Sequence, residues 1–256
     1  MKFLLTLTLL LSFYFVSAQN SEIKKFSIKS NSLNETRDLT LYFPKKFSAK
    51  KKYNLIFMAD GQFLNERYKS KIDSLIDNKL ISEFIIVGVN SNETGIPNSY
   101  LQLRNYEYIE NNDAEIGSDL YSRYRNHLEF FISEVDEYVK EYLKIKVKKR
   151  FFYGVSNGAG FGISLLDKYP NFFKSYILYS VAGANKDNLK KSNNKISNII
   201  IRYGNQEPEP IIDYNIALAE LIKSKNYKVT FSNYKGGHKR IDWLNNFIKD
   251  IQLIGL

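Results

Sequence analysis

The strongest constraint on the fold is a set of uninterrupted apolar runs, each short and each followed by a segment of different periodicity. They are YNLIFMAD (53–60), EFIIVGVN (83–90), RFFYGVS (150–156), KSYILYSVAG (174–183) and NIIIRYG (198–204). Continuous apolar character over so few residues is what a strand needs when both of its faces are covered. Between and after the runs, apolar residues recur at helical spacing: around Leu64 to Asn78, Tyr121 to Leu143, Ala159 to Lys168, Ile211 to Lys223 and Arg240 to Leu253. The third of these helices is expected to stop at Tyr169-Pro170, because proline cannot continue a helix. KVTFSNY (228–234) reads as a last strand. At the start, EIKKFSIKS and TRDLTLYFP alternate apolar and polar residues across NSLNE, the pattern of an antiparallel pair. Ser91 to Gly117 shows no period and reads as irregular. Strands alternating with helices imply an α/β chain: a mainly parallel central sheet with helices on both faces and an N-terminal antiparallel strand pair. At 256 residues this is one domain, over 19–256.

The first 18 residues stand apart. MKFLLTLTLLLSFYFVSA has one basic residue, a short apolar stretch and small residues before a cut after Ala18, so it reads as a signal peptide. The expected product is exported, periplasmic or extracellular, with no stable membrane insertion after cleavage. An uncleaved anchor is the competing reading of this stretch. The chain has no cysteine, which excludes disulfides and thiolate chemistry. Its formal charge is +10, but the lysines are scattered along the sequence, apart from Lys45-Lys46 and Lys50 to Lys52, which read as a solvated loop. No nucleic-acid-binding signature is present, so no nucleic-acid partner is expected.

In a parallel sheet the ligand lies at the carboxyl ends of the strands. After FFY the chain reads Gly154-Val155-Ser156-Asn157-Gly158 and then enters a helix, which is G-x-S-x-G in a strand–turn–helix setting. A serine there needs a base to take its proton. Of the two histidines, His127 lies inside the long helix, where a surface or partly buried role is expected. His238 follows the last strand in YKGGHKRIDWL. A carboxylate to orient it is expected after NIIIRYG, where Glu207 and Glu209 both qualify; Glu207 comes sooner after the strand and is preferred. Acyl transfer also requires backbone donors for an oxyanion. The amide of Asn157 is one candidate, and Gly61 or Gln62 in ADGQF supplies the other.

Taken together these segments resemble the esterase family of α/β-hydrolases that includes esterase D, enterochelin-type siderophore esterases, feruloyl esterases and mycolyltransferases. The similarity runs from about Phe26 to Phe247: LIFMADGQF resembles the family's oxyanion strand, RNYEY its R-x-x-E segment, YGVSNGAGFGISLLDKYPNFFKSYILYS its nucleophile region, and GNQEP and GGHKRIDW its acid and base loops. The resemblance implies the α/β-hydrolase fold, Ser156 as nucleophile, His238 as base, Glu207 as acid, and Arg104 with Glu107 as a structural or pocket-lining pair. Tyr106, with Phe63 and Tyr108, is a candidate for lining an aromatic-accepting pocket, and a core role suits these residues equally. Arg104, Tyr106 and Glu107 are therefore the candidate substrate-binding set. Two departures stand out: EYIENND where the family often continues with Thr-Pro, and Asn157 where Met, Leu or Gln is commoner.

The expected activity is that of a secreted serine carboxylesterase working through an acyl-enzyme, with no metal or cofactor. Its substrate is a small-molecule or carbohydrate ester, a siderophore or an acylated sugar among them. An acyltransferase of the same fold and a non-catalytic envelope binding protein are the alternatives. Oligomeric state is not readable from the sequence.

Overall fold

A computed structural model of the chain describes residues 20–110, 113–185, 189–192, 196 and 198–256. The expected signal peptide, 1–18, and its cleavage site lie outside the described residues. Strands β1 (Glu22–Ser30) and β2 (Glu35–Phe43) form the antiparallel pair, and β2 meets β4 (Phe84–Val89) antiparallel as well. From β4 onward β3 (Lys52–Ala59), β5 (Lys146–Val155), β6 (Ser175–Tyr179), β7 (Asn198–Gly204) and β8 (Val229–Tyr234) run parallel to one another. The single sheet has the order β1-β2-β4-β3-β5-β6-β7-β8.

Each helix buries the stripe that its sequence spacing marks out. On one face lie α1 (Glu66–Asp77) and α7 (Arg240–Asp250), packing Tyr68, Ile72, Trp243 and Phe247 against Ile56, Met58 and Tyr153. On the other lie α3 (Asp119–Glu129), α5 (Asn157–Lys168) and α6 (Glu209–Ser224), whose Leu128, Phe161 and Ile222 meet Leu55, Phe57 and Phe152. Successive residues of β3 therefore feed opposite cores, which is why its sequence is apolar without alternation. The helix begun by α3 runs on through a π-helical turn (Phe130–Glu134), the short α4 (Val135–Glu137) and a second π turn (Tyr138–Tyr142). No helix among the described residues is long and apolar enough to cross a membrane.

Two stretches differ from the sequence reading. The irregular region holds a helix, α2 (Leu103–Tyr108), capped by reciprocal Gln102 and Asn105 hydrogen bonds. At six residues it is too short to show a helical period. Strand β5 starts four residues before RFFYGVS, in the exposed, lysine-rich KVKK, where no apolar run marks it. Topology also gathers lysines that are scattered in sequence: Lys52 is the cross-strand partner of Lys146, and Lys148, Lys149 and Lys174 border one surface cavity at the amino ends of the parallel strands. The opposite, carboxyl edge carries every residue of the candidate site.

Candidate active site

The register β3–β5–β6–β7–β8 lines up Asp60, Ser156, Ser180, Glu207 and His238 along that edge, each within a few residues past its strand. Ser156 sits between β5 and α5 at φ 52° and ψ −127°, a backbone region sparsely populated by non-glycine residues. The turn is tight because Gly154 lies against the first turn of α5: a Cβ there would fall 2.5 Å from the Gly158 carbonyl oxygen. The hydroxyl is thereby held above the sheet edge.

Ser156 Oγ is 3.1 Å from His238 Nε2, and His238 Nδ1 is 3.2 Å from Glu207 Oε2. The Glu207 carboxylate is side-chain-inaccessible, while the His238 ring is about one-third open to solvent at 34%. Burial alone would raise the Glu207 carboxyl, but hydrogen bonds from His238, the Ser180 hydroxyl and the Gly204 amide outweigh it and hold it below the ordinary value. An ionised carboxylate only accepts, so Nδ1 of His238 carries the proton and Nε2 is left to accept from Ser156. Glu209, the rival acid, is exposed in the first turn of α6, where a negative charge suits the helix dipole.

Three supporting residues escaped the sequence reading. Ser180 donates to Glu207 Oε1 at 2.5 Å and accepts from the indole N–H of Trp243 at 3.0 Å. Trp243 also stands edge-on to the His238 ring at 4.8 Å, and Tyr234 donates to Glu207 at 3.2 Å. The signal was present: Ser180 interrupts an apolar run, and Trp243 is the chain's single tryptophan, five residues after His238.

The loop after β3, where the sequence places a candidate oxyanion donor, is tightly held. Asp60 adopts a left-handed conformation, φ 57°, and Gly61 to Phe63 form a 3₁₀ turn. Glycine is required at 61 because a Cβ there would lie 2.2 Å from the backbone of Gly88 in β4, so the loop presses directly onto the neighbouring strand. The Gln62 side chain bonds both ways with Ser91, tying this loop to the one after β4. Asn157 is the first residue of α5, where a backbone N–H has no intrahelical partner.

The substrate-binding set is placed differently from expectation. Arg104 and Glu107 do not pair with each other. Arg104 grips Asp60 through two 2.7 Å hydrogen bonds and stacks on Tyr108, whose hydroxyl accepts from the Asp60 amide. Glu107 is wholly buried and is held by Arg37, by Arg123 at 2.7 Å and by the Asn92 amide at 3.1 Å, so it offers nothing to a ligand. Tyr106 and Tyr108 are buried with it, leaving Phe63 beside the open cavity near Ser156. His127, expected at the surface or partly buried, is fully buried among Tyr108, Phe130, Phe131 and Phe161, with neither nitrogen hydrogen-bonded. Position 127 falls on the inward stripe of its helix with Tyr124 and Leu128.

The family model described as "Putative esterase" matches residues 30–254. The chain belongs to this family. It is a carboxylic ester hydrolase with the α/β-hydrolase fold. Among solved structures it is similar to a ferulic acid esterase, with 17% identity, a TM-score of 0.74 and coverage of 93% of this chain and 98% of that one. It is also similar to the siderophore hydrolase EstA from Aspergillus nidulans, with 13% identity, TM-score 0.69 and coverage of 93% and 96%. A third is the CE1 ferulic acid esterase of Anaeromyces mucronatus in complex with ferulic acid, with 14% identity, TM-score 0.70 and coverage of 93% and 92%. At such identities the likeness speaks for the fold alone. No curated protein sequence matches the chain.

Within this esterase the Arg104–Asp60 clamp fixes the loop that carries Gly61 and Gln62. Arg104→Ala is expected to lower kcat on p-nitrophenyl acetate about 100-fold, the scale of losing one oxyanion donor, with KM little changed. Arg104→Lys, which keeps the charge but not the fork, should recover part of it. An equal rise in KM with kcat intact would remove the positioning role.

Proposed function

We propose that this chain is an exported serine esterase whose Ser156 attacks an ester carbonyl. The observation that carries the reading is the unbroken series Ser156 Oγ–His238 Nε2 and His238 Nδ1–Glu207 Oε2, at 3.1 and 3.2 Å, on a strained strand-to-helix turn. His238 takes the serine proton as the bond to the carbonyl carbon forms, and the ionised Glu207 stabilises the resulting imidazolium. The amides of Asn157 and of Gly61 or Gln62 receive the oxyanion. His238 then returns its proton to the departing alkoxide; water, deprotonated by His238 in turn, releases the acid from the acyl-enzyme. The substrate is a small-molecule or carbohydrate ester, in keeping with the ferulic acid esterase and siderophore hydrolase among the structural neighbours. Export rests on the leader-like sequence of residues 1–18.

Treatment with a fluorophosphonate followed by peptide mass spectrometry tests the assignment. The adduct is expected on the Ser156 peptide alone, formed in step with loss of p-nitrophenyl acetate hydrolysis. An active enzyme labelled at another serine, or hydrolysis undiminished by complete Ser156 labelling, would sink it. Intact mass of the protein secreted by its host should correspond to a chain beginning at Gln19.

A further inference from the structure

Beside Ser156, on the face covered by α1 and α7, lies a cavity of about 140 Å³. Its rim is continuous with the catalytic edge: Asp60 precedes Gly61, Val155 precedes Ser156, and Trp243 stands against the His238 ring. The walls are Met58, Phe63, Tyr68, Tyr153, Trp243 and Leu244. A dry apolar cavity of about 150 Å³ accepts one benzene molecule, so this space suits a single ring and is too small for a fused or branched group.

The charges around it are one-sided. At the floor, the Tyr68 and Tyr153 hydroxyls bond to each other at 3.1 Å, and burial pushes Tyr68 up to about 12, so the floor is neutral. The Asp60 carboxylate is committed to Arg104. What remains is Arg67 and Arg240, both exposed, and neither has an ion-pair partner among the described residues. Arg67 and Arg240 belong to the first turns of α1 and α7, where the helix dipole disfavours positive charge, so helix stability does not account for them. The Arg240 guanidinium lies 3.2 Å over the Phe63 ring. Stacked in this way, it keeps its N–H edge free to donate in plane to a carboxylate or phenolate.

We propose that this cavity binds one aromatic ring carrying a negative charge, in the acyl or the alcohol half of the ester, and that Arg240 and Arg67 read the charge. The inference rests on Ser156 being the nucleophile. The ring enters between Phe63 and Trp243, its apolar body replaces water against Met58 and Leu244, and its anionic substituent stays at the rim. A neutral ring of the same shape gains the burial and forgoes the ion pair.

Two matched substrate pairs test this: 4-carboxyphenyl acetate against 4-carbamoylphenyl acetate, and monomethyl terephthalate against methyl 4-carbamoylbenzoate. The expected result is a kcat/KM about 10-fold or more higher for the charged member of at least one pair at low ionic strength, shrinking as salt is added. The pair that shows it identifies the half of the ester that the cavity holds. Arg67→Gln with Arg240→Gln should bring the ratio to about one, and Arg240→Lys should retain part of it. Equal or inverted ratios in both pairs, a ratio that survives the double replacement, or no turnover of either pair by a protein whose Ser156 reacts with fluorophosphonate would each overturn the inference. Those outcomes leave the nucleophile standing, whereas failure of Ser156 to label strikes the esterase mechanism itself.

Discussion

Ser156→Ala should lower kcat for p-nitrophenyl acetate by about 10⁶-fold, and His238→Ala by a similar amount. Nucleophile and base act as a unit, so removing either abolishes one proton-coupled attack, and the double replacement should be scarcely worse than each single one. About 10³-fold catalysis over water should persist, because the proposed oxyanion donors at Asn157 and the Gly61 turn do not depend on the hydroxyl. Glu207→Ala should cost less, about 10⁴-fold, since the imidazole remains but loses the carboxylate that selects its tautomer. The sharper comparison is with Glu209. It is exposed at the start of α6 and touches no member of the series, so Glu209→Ala should leave kcat within a factor of about two. Turnover that survived in Ser156→Ala, or a larger loss at Glu209 than at Glu207, would reassign the roles. Stopped-flow and steady-state rates on the same preparations, with circular dichroism to establish that each variant is folded, decide it.

Most of the scaffold was legible because the central strands are covered on both sides and the first strand alternates. NIIIRYG and EIKKFSIKS match their strands residue for residue, and the other strands shift by one residue except β5 and β6. Strand β6 stops at Tyr179, short of the run's end, where Ser180 turns to φ 51°, its amide still bonded to the Arg202 carbonyl and its hydroxyl to Glu207. What could not be read was side-chain partnership across the fold. RNYEY is one short segment, yet Arg104 turns to Asp60 while Glu107, three positions on, turns into the core toward Arg37 and Arg123. Nothing in their spacing distinguishes those directions until α2 is placed between Arg37 of β2 and Asp60 after β3. His127 was misplaced for a related reason. A helix stripe is defined by its apolar members, and a histidine falling on it reads as polar until the packing is seen.

Glu107→Ala should be the most destabilising single change outside the site. It leaves the buried Arg37 and Arg123 guanidiniums with only the partly exposed Glu35 as a shared carboxylate, and truncating one partner of a buried ion pair costs about 3–5 kcal/mol. For a domain of this length each kcal/mol corresponds to about 2–4 °C, so Tm should fall by about 6–20 °C. The same cluster sets the acid limit. Burial would raise the Glu107 carboxyl, but His127, Arg37 and Arg123 hold it down to about 2, and burial takes His127 from 6.5 to about 3. His127 is thus uncharged near neutrality, where the two arginines do the holding. Both groups bind protons more readily unfolded than folded, so both contribute stability that is lost as pH falls. The His127 share goes between pH 6.5 and 3, and the Glu107 share between pH 4.5 and 2. His127→Phe puts an apolar ring among the four aromatic rings around it and sacrifices no hydrogen bond. It should flatten the decline in urea-unfolding free energy between pH 6.5 and 4.5, by up to about 1.4 kcal/mol per pH unit, and leave the steeper loss below it. An unaltered slope in that interval would show that His127 is not the group being titrated.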